Sequence, residues 1–98
     1  MMYTPVVRFT PIGEYLRLVV LRRLSRGPAS VEEVEELARR AVEALGVRYD
    51  WRVWPKLLEG EVEIRGDMVT ITPRGRWFLE QVADEIAEYV KRWLGVDA

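Results

Sequence analysis

The sequence predicts a single α+β domain that is mostly helical, with three helices, a two-stranded β-hairpin and a long C-terminal helix. Three observations predict this class. Capping residues mark several helix starts, one pair of alternating segments surrounds a two-residue turn, and a length of 98 residues suits one domain. An apolar fraction of 49% with 32% charged residues is typical of globular chains rather than disordered ones.

The first helix is predicted to follow an N-terminal arm, partly extended, of residues 1–10. Thr10 has a side chain suited to an N-cap, and Pro11 stands at the first helical position, where its missing N–H is not needed. Gly27 lies where the helix should end. Between these positions apolar residues recur at helical spacing, at Ile12, Leu16, Val19, Val20 and Leu24.

A capping box predicts the second helix over residues 31–45. The Ser30 hydroxyl is placed to accept a hydrogen bond from the Glu33 N–H, and the Glu33 carboxylate is placed to accept one from the Ser30 N–H. Gly46 follows as a residue suited to the left-handed conformation in which many helices end.

The third helix is predicted to be shorter, over residues 51–58, with Asp50 as its N-cap and Gly60 beyond its end. Pro55 stands late for a first-turn proline, so we expect an irregular or kinked start. Trp54 is predicted to lie in the core because it precedes two leucines by one helical turn.

A β-hairpin is predicted by two alternating segments, residues 61–65 and 68–72, around a turn of Gly66 and Asp67. A two-residue loop of type I′ or II′ places all four β-branched apolar residues of these segments on one face, and a slip of one residue would destroy that agreement. The predicted pairs are Arg65 with Met68, Ile64 with Val69, Glu63 with Thr70, and Val62 with Ile71.

The last helix is predicted to begin in the same way as the first, with Thr72 as N-cap and Pro73 behind it. It is expected to continue without interruption to Leu94, over about 33 Å at 1.5 Å per residue. The predicted organisation is therefore one domain with an arm (1–10), a core (11–72) and a C-terminal helix (73–95).

The chain has no cysteine and no histidine. This excludes disulfide bonds, thiolate or imidazole metal sites, cysteine nucleophiles and histidine-based acid–base pairs. The remaining residues show no catalytic constellation, so the sequence predicts neither an enzyme nor a bound metal or cofactor.

The source and location are predicted from what the composition lacks. Asparagine is absent, Gln81 is the only glutamine, and 13 of the 15 basic residues are arginine. Few thermolabile residues with many charges favour a thermophilic source, although a GC-rich genome would produce the same arginine excess. The start has no basic and apolar leader, and the longest apolar run, residues 18–21, is too short to span a membrane. We expect a cytoplasmic protein without a membrane partner.

Three helices followed by a hairpin is the layout of a winged helix-turn-helix, in which the third helix enters the major groove of DNA and the hairpin is the wing. The segment Val53–Leu57 (VWPKL) resembles the Leu/Val-Tyr-Pro-x-Leu stretch of the recognition helix in PadR-like regulators. The segment Ile71–Leu79 (ITPRGRWFL) is similar to the Leu-Thr-Pro-Lys-Gly-Arg-x-x-Leu segment that closes the wing in PadR-like and MarR-like proteins. The resemblance implies a transcriptional regulator that binds double-stranded DNA, commonly as a homodimer joined through terminal helices.

A formal net charge of −1 by itself argues against a nucleic-acid partner. The charges are unevenly distributed along the chain, however, and this weakens that argument. Residues 1–30 carry five arginines and one glutamate, whereas residues 31–45 carry five glutamates and two arginines. Residues 80–98 carry five acids and two bases. The acids therefore concentrate in the second and last helices, and the segments expected to face DNA are neutral to basic.

The predicted DNA contacts begin with Arg48, Arg52 and Lys56, which are spaced by four residues and would form a row along one helix face. A solvated helix face is the alternative interpretation of that row. Arg65 beside the hairpin turn is a candidate for phosphate contact, although the neighbouring Asp67 argues against it. Arg74 at the start of the last helix is expected to contact either phosphate or the acidic second helix.

Trp51 completes the predicted contact set, because it lies at the start of the third helix and could stack on nucleic acid. We expect it instead to act mainly as a partly buried lid over the core, since large aromatic residues usually serve packing. The arginines at positions 22, 23 and 26 are interpreted as favourable charges at the C-terminal end of the first helix.

A homodimer interface is predicted on the last helix, because an apolar stripe on a protruding helix would otherwise be exposed. The alternative is that this helix folds back across the first helix. The predicted interface residues are Trp77, Leu79, Val82, Ile86, Tyr89, Val90 and Trp93.

The same fold also serves in protein-interaction modules that do not contact DNA, and that is the second functional hypothesis. The acidic helices and the short hairpin favour it, whereas the basic row favours DNA. The sequence identifies neither an operator nor a small-molecule effector, and it does not distinguish an activator from a repressor.

Overall fold

The computed structural model describes residues 10–98, so nearly all of the predicted N-terminal arm lies outside the described residues. The chain is a mostly helical α+β domain with a small antiparallel sheet, as the sequence predicts. Its elements in chain order are α1 (Pro11–Leu24), β1 (Ala29–Ser30), α2 (Val31–Glu43), α3 (Val53–Leu57), β2 (Val62–Arg65), β3 (Met68–Ile71), α4 (Pro73–Gln81) and α5 (Ala83–Leu94).

Three of the four predicted N-caps are confirmed. In each case a hydroxyl oxygen accepts a hydrogen bond from the backbone N–H three residues later, and it thereby satisfies a donor that the first helical turn leaves unpaired. The capping pairs are Thr10 with Gly13 at 3.0 Å, Ser30 with Glu33 at 3.0 Å, and Thr72 with Gly75 at 3.2 Å.

The second half of the predicted capping box is wrong. The Glu33 carboxylate accepts a hydrogen bond from Nε of Arg23 at 2.8 Å, which joins α2 to α1 instead of closing back on the Ser30 N–H. The helix also ends at Glu43, two residues early, and Gly46 has the left-handed φ of +78° that the exit requires.

The predicted hairpin register is confirmed for all four pairs: Val62 with Ile71, Glu63 with Thr70, Ile64 with Val69, and Arg65 with Met68. A third strand, which was not predicted from the sequence, completes the sheet. Ala29 and Ser30 form β1, which pairs antiparallel with β3, so that β3 lies in the middle of the order β1–β3–β2. Of the predicted apolar face, Val69 is fully buried and Ile64, near the turn, is 43% exposed.

The third helix is shorter than predicted. It covers only Val53–Leu57, and the two residues before it form a turn in which the Arg52 N–H donates to Oδ1 of Asp50 at 3.0 Å. Asp50 therefore precedes a turn rather than the helix itself. Because the helix begins only at Val53, Pro55 lies within its first turn, where the missing N–H costs no backbone hydrogen bond.

The prediction of an uninterrupted C-terminal helix is also wrong. The chain leaves helical geometry at Val82, with φ −126° and ψ −19°, so α4 and α5 are separate helices. Phe78 on α4 and Val90 on α5 are both buried. On one straight helix of 3.6 residues per turn, these two side chains would point about 120° apart. The break allows both to face the core, and α5 packs against α1, as in the fold-back alternative.

The core is built around α1, because this helix packs against α2, α3, α4 and α5. Its buried residues lie on several sides of the helix rather than on one stripe: Leu16, Leu18, Val20, Leu21 and Leu24. Within residues 10–98, no helix is long and apolar enough to cross a membrane.

Candidate nucleic-acid interface

The short helix α3 is held by its buried face and presents charge on its exposed side. Trp54 is 1% exposed, and Leu57 with Leu58 completes the buried anchor beneath the helix. Arg52 and Lys56, one turn apart, are both exposed. A helix anchored in this way projects cations from a fixed backbone position.

The predicted basic row is only partly formed. Lys56 lies on α3 and Arg52 is the residue directly before it, but Arg48 lies farther back in the irregular segment between α2 and α3. Arg48 is exposed there and so can reach a ligand, although from the loop rather than from the helix face.

Arg52 is engaged within the chain by Asp50. Its Nε donates to Oδ1 at 3.0 Å and its Nη2 donates to Oδ2 at 2.9 Å. The hydrogen bonds from the Arg52 side chain and backbone N–H lower the pKa of Asp50 to about 2. Because this bidentate pair is largely exposed, it contributes little to stability, but it neutralises a predicted DNA contact.

Arg65, beside the hairpin turn, is also paired. Its Nε donates to Oε2 of Glu63 at 3.1 Å, on the same exposed strand. The turn is attached to the body of the domain, because the Val31 N–H donates to the Asp67 carbonyl at 2.7 Å. The end of the hairpin therefore presents an ion pair, the additional charge of Asp67 and the partly exposed Met68 rather than a free cation.

Arg74 lies beside the loop that joins α3 to β2. A Cβ placed on Gly60 would lie 3.4 Å from Nη1 of Arg74, and the Thr72 hydroxyl donates to the Gly60 carbonyl at 2.8 Å. Among the described residues, Arg48, Lys56 and Arg74 make no ion pair. We call these three side chains the unpaired cations.

Trp51 is 61% exposed, so its interpretation as a lid over the core is wrong. The aromatic residues whose polar atoms are buried here are instead Trp54 on α3 and Tyr49 in the segment before it. The Tyr49 hydroxyl and the Trp54 indole nitrogen are buried, and neither makes a hydrogen bond of normal geometry within the described part of the chain. Burial, followed by the negative charges of Glu35 and Asp50, raises the pKa of Tyr49 to about 12.

A buried ionic cluster that was not predicted from the sequence joins the root of the hairpin to α1. Nε of Arg17 donates to Glu61 at 2.9 Å and Nη1 donates to Glu14 at 3.1 Å, while the guanidinium stacks 3.8 Å from the ring centre of Phe78. Burial lowers the pKa of Arg17, but the two carboxylates outweigh it and the net shift is upward. The spacing of Glu14 and Arg17 was a usable signal, whereas nothing local pointed to Glu61.

The residues predicted for a dimer interface fall into two groups. Trp77 and Trp93 are exposed, at 58% and 65%, and are accessible to a partner. Val90 is fully buried in the chain's own core. The others are partly buried against that core: Leu79, Val82, Ile86 and Tyr89.

The candidate interface thus consists of the unpaired cations, two arginines engaged by neighbouring acids, and the exposed Trp51. None of the protein-family models, curated protein sequences or solved structures compared with this chain matches it. The proposals below therefore depend on the geometry of the described residues and on general physical chemistry.

Proposed function

We propose that the chain is a winged-helix domain that binds double-stranded DNA and regulates transcription. In this proposal α3 enters the major groove and the hairpin of β2 and β3 forms the wing. The order of elements supports it: three helices precede the hairpin, and β1 between the first two joins the same sheet.

The observation that carries the proposal is the two-sided character of α3. Trp54, Leu57 and Leu58 bury one side, and Arg52 and Lys56 are exposed on the other. Reading bases in a groove requires a rigid element that projects a few donors outward. Such an arrangement on the third helix favours DNA as the partner.

The unpaired cations are the side chains best placed to bind phosphates. Each lysine or arginine that neutralises a phosphate releases counterions, so its loss reduces the salt dependence of binding. Arg52 makes the same contact only after leaving Asp50. With a net charge of −1, the domain should bind DNA through one small surface rather than through a general positive field.

The test is fluorescence anisotropy with duplex DNA over a salt series. The variants are Lys56→Ala/Arg74→Ala and the control Arg26→Ala/Arg92→Ala, which removes exposed arginines outside the candidate interface. We expect the first double variant to weaken binding and to lower the logarithmic salt slope by about 2, with the control unchanged. Absence of binding by the wild-type chain at low salt would contradict the proposal.

A protein-interaction module is the second candidate function. The pairing of Arg52 with Asp50 and of Arg65 with Glu63 favours it, because two of the predicted phosphate contacts are already neutralised. Trp51 is an exposed aromatic residue of the kind enriched in protein interfaces. The anisotropy series separates the two functions, since a module of this kind shows no salt-dependent affinity for DNA.

We also propose that the domain acts as a homodimer through exposed aromatic residues of its C-terminal helices. Trp77 and Trp93 support this, whereas Val90 is covered by the chain itself. Sedimentation equilibrium at micromolar concentration tests it. We expect Trp93→Ser to shift the wild-type dimer toward monomer, with Arg92→Ser as the matched control. A wild-type monomer would contradict this part of the proposal.

A further inference from the structure

A cleft lies where the last turn of α1 meets the end of α4 and the start of α5. The cleft has a volume of about 290 Å³, at the lower limit of small-molecule sites. Leu79 and Ala83 supply its apolar wall. The candidate nucleic-acid interface does not include this cleft.

Four charged side chains line the cleft, two of each sign: Arg22 and Arg76, and Glu80 and Asp84. None of the four makes an ion pair within the described residues. All four groups therefore retain their capacity for an outside partner.

We propose that this cleft binds a free α-amino acid with an apolar side chain. The guanidinium groups of Arg22 and Arg76 match an α-carboxylate, since arginine binds planar carboxylates through two parallel hydrogen bonds. The carboxylates of Glu80 and Asp84 match an α-ammonium group. The wall formed by Leu79 and Ala83 suits an aliphatic side chain.

The balance of charge distinguishes this ligand from the alternatives. The carboxylates of Glu80 and Asp84 would repel a polyanion such as a nucleic-acid backbone. The guanidinium groups of Arg22 and Arg76 would likewise repel a simple cation. A zwitterion satisfies both signs at once. The cleft shares no residue with the candidate nucleic-acid interface, so amino-acid binding and DNA binding are tested separately.

The test is an amide chemical-shift titration of the isotope-labelled full chain with L-leucine. Two matched probes each lack one charge: isocaproate, which is leucine without the amine, and isopentylamine, which is leucine without the carboxylate. We expect saturable shifts at residues 22–26 and 76–84 with leucine, and at least about tenfold weaker binding of either probe, because each loses charge-assisted hydrogen bonds.

Two variants on α4 test which side chain binds the carboxylate of the ligand and which binds its ammonium group. Arg76→Gln should weaken leucine about tenfold but leave isopentylamine unchanged, whereas Glu80→Gln should weaken leucine similarly but leave isocaproate unchanged. Arg92→Gln and Glu88→Gln are the matched controls on the exposed surface of α5. The proposal is overturned if leucine gives no saturable shifts in these two segments, if either probe binds as tightly as leucine, or if both cleft variants leave leucine binding unchanged.

Discussion

Arg17 and Glu61 form a buried ion pair across 44 positions of the chain, with Nε of Arg17 donating to Oε1 at 2.9 Å and Nη2 contacting Oε2. Glu61 is 2% exposed and stands immediately before β2. The pair therefore attaches the root of the hairpin to the central helix. Its energetic importance depends on desolvation, because a buried carboxylate that loses its cation has no water to replace it.

We expect Arg17→Met to lower the free energy of unfolding by about 3–5 kcal/mol, because it removes a cation that pairs with the buried carboxylates of Glu61 and Glu14. Urea denaturation measures the change. The control is Arg39→Met, which removes two exposed ion pairs on α2, to Glu36 and Glu43, and should cost far less stability. Equal losses for the two variants would show that the buried cluster has no special role.

Gly75 is required by the close approach of α4 to the hairpin. A Cβ placed there would lie 2.4 Å from the Glu61 carbonyl oxygen and 2.8 Å from Cγ1 of Ile71. We expect Gly75→Ala to lower the free energy of unfolding by about 1–3 kcal/mol through overpacking. Thermal denaturation of this variant beside Arg76→Ala, an exposed neighbour, checks the result. A gain in stability from Gly75→Ala would contradict this account of the contact.

The pKa of Asp50 offers a direct readout of the surface pair beside α3. Since its pKa is lowered from 3.8 to about 2, the pairing stabilises the fold above the ordinary pKa, and this stabilisation is lost as the pH falls through about 2. We expect a carboxyl titration by NMR to give a midpoint near 2 in the wild type and a higher value in Arg52→Ala. With Arg26→Ala as control, an unchanged midpoint in Arg52→Ala would refute the pairing in solution.

Asp50→Asn tests whether the pair restrains DNA binding. The amide keeps an oxygen for the Arg52 N–H but loses the charge that holds the guanidinium. If α3 contacts DNA, we expect higher affinity and a salt slope steeper by about 0.9, because one further cation reaches a phosphate. Anisotropy over a salt series provides the measurement, with Asp97→Asn as the control for net charge. Equal gains in both variants would mean that overall charge alone is responsible.

Local chemistry predicted much of the fold. The caps at Thr10, Ser30 and Thr72 depend on residues within one helical turn, and the hairpin register depends on a two-residue turn and a period of two. All six residues of the predicted DNA-contact set are exposed. The exposure of Trp51 was missed, because composition does not distinguish a lid from a surface aromatic residue.

The errors arose where distant contacts decide the structure. Neither glycine nor proline marks the break at Val82, which follows from the need to bury Phe78 and Val90 against the same core. Strand β1 has only two residues and exists through its partner β3. The pair of Arg17 with Glu61 likewise joins residues that no local pattern connects. Long-range packing overrode the local signals at each of these positions.

The position of β1 also has a consequence for the rate at which the domain folds. Ala29 pairs with Val69, forty positions later, whereas the hairpin closes across only two residues. Closing the longer loop loses more chain entropy, and this loss precedes the contacts that offset it. A two-stranded hairpin alone is only marginally stable. We therefore expect β1 to join β3 only after the hairpin has formed, because its contact spans a much longer stretch of chain.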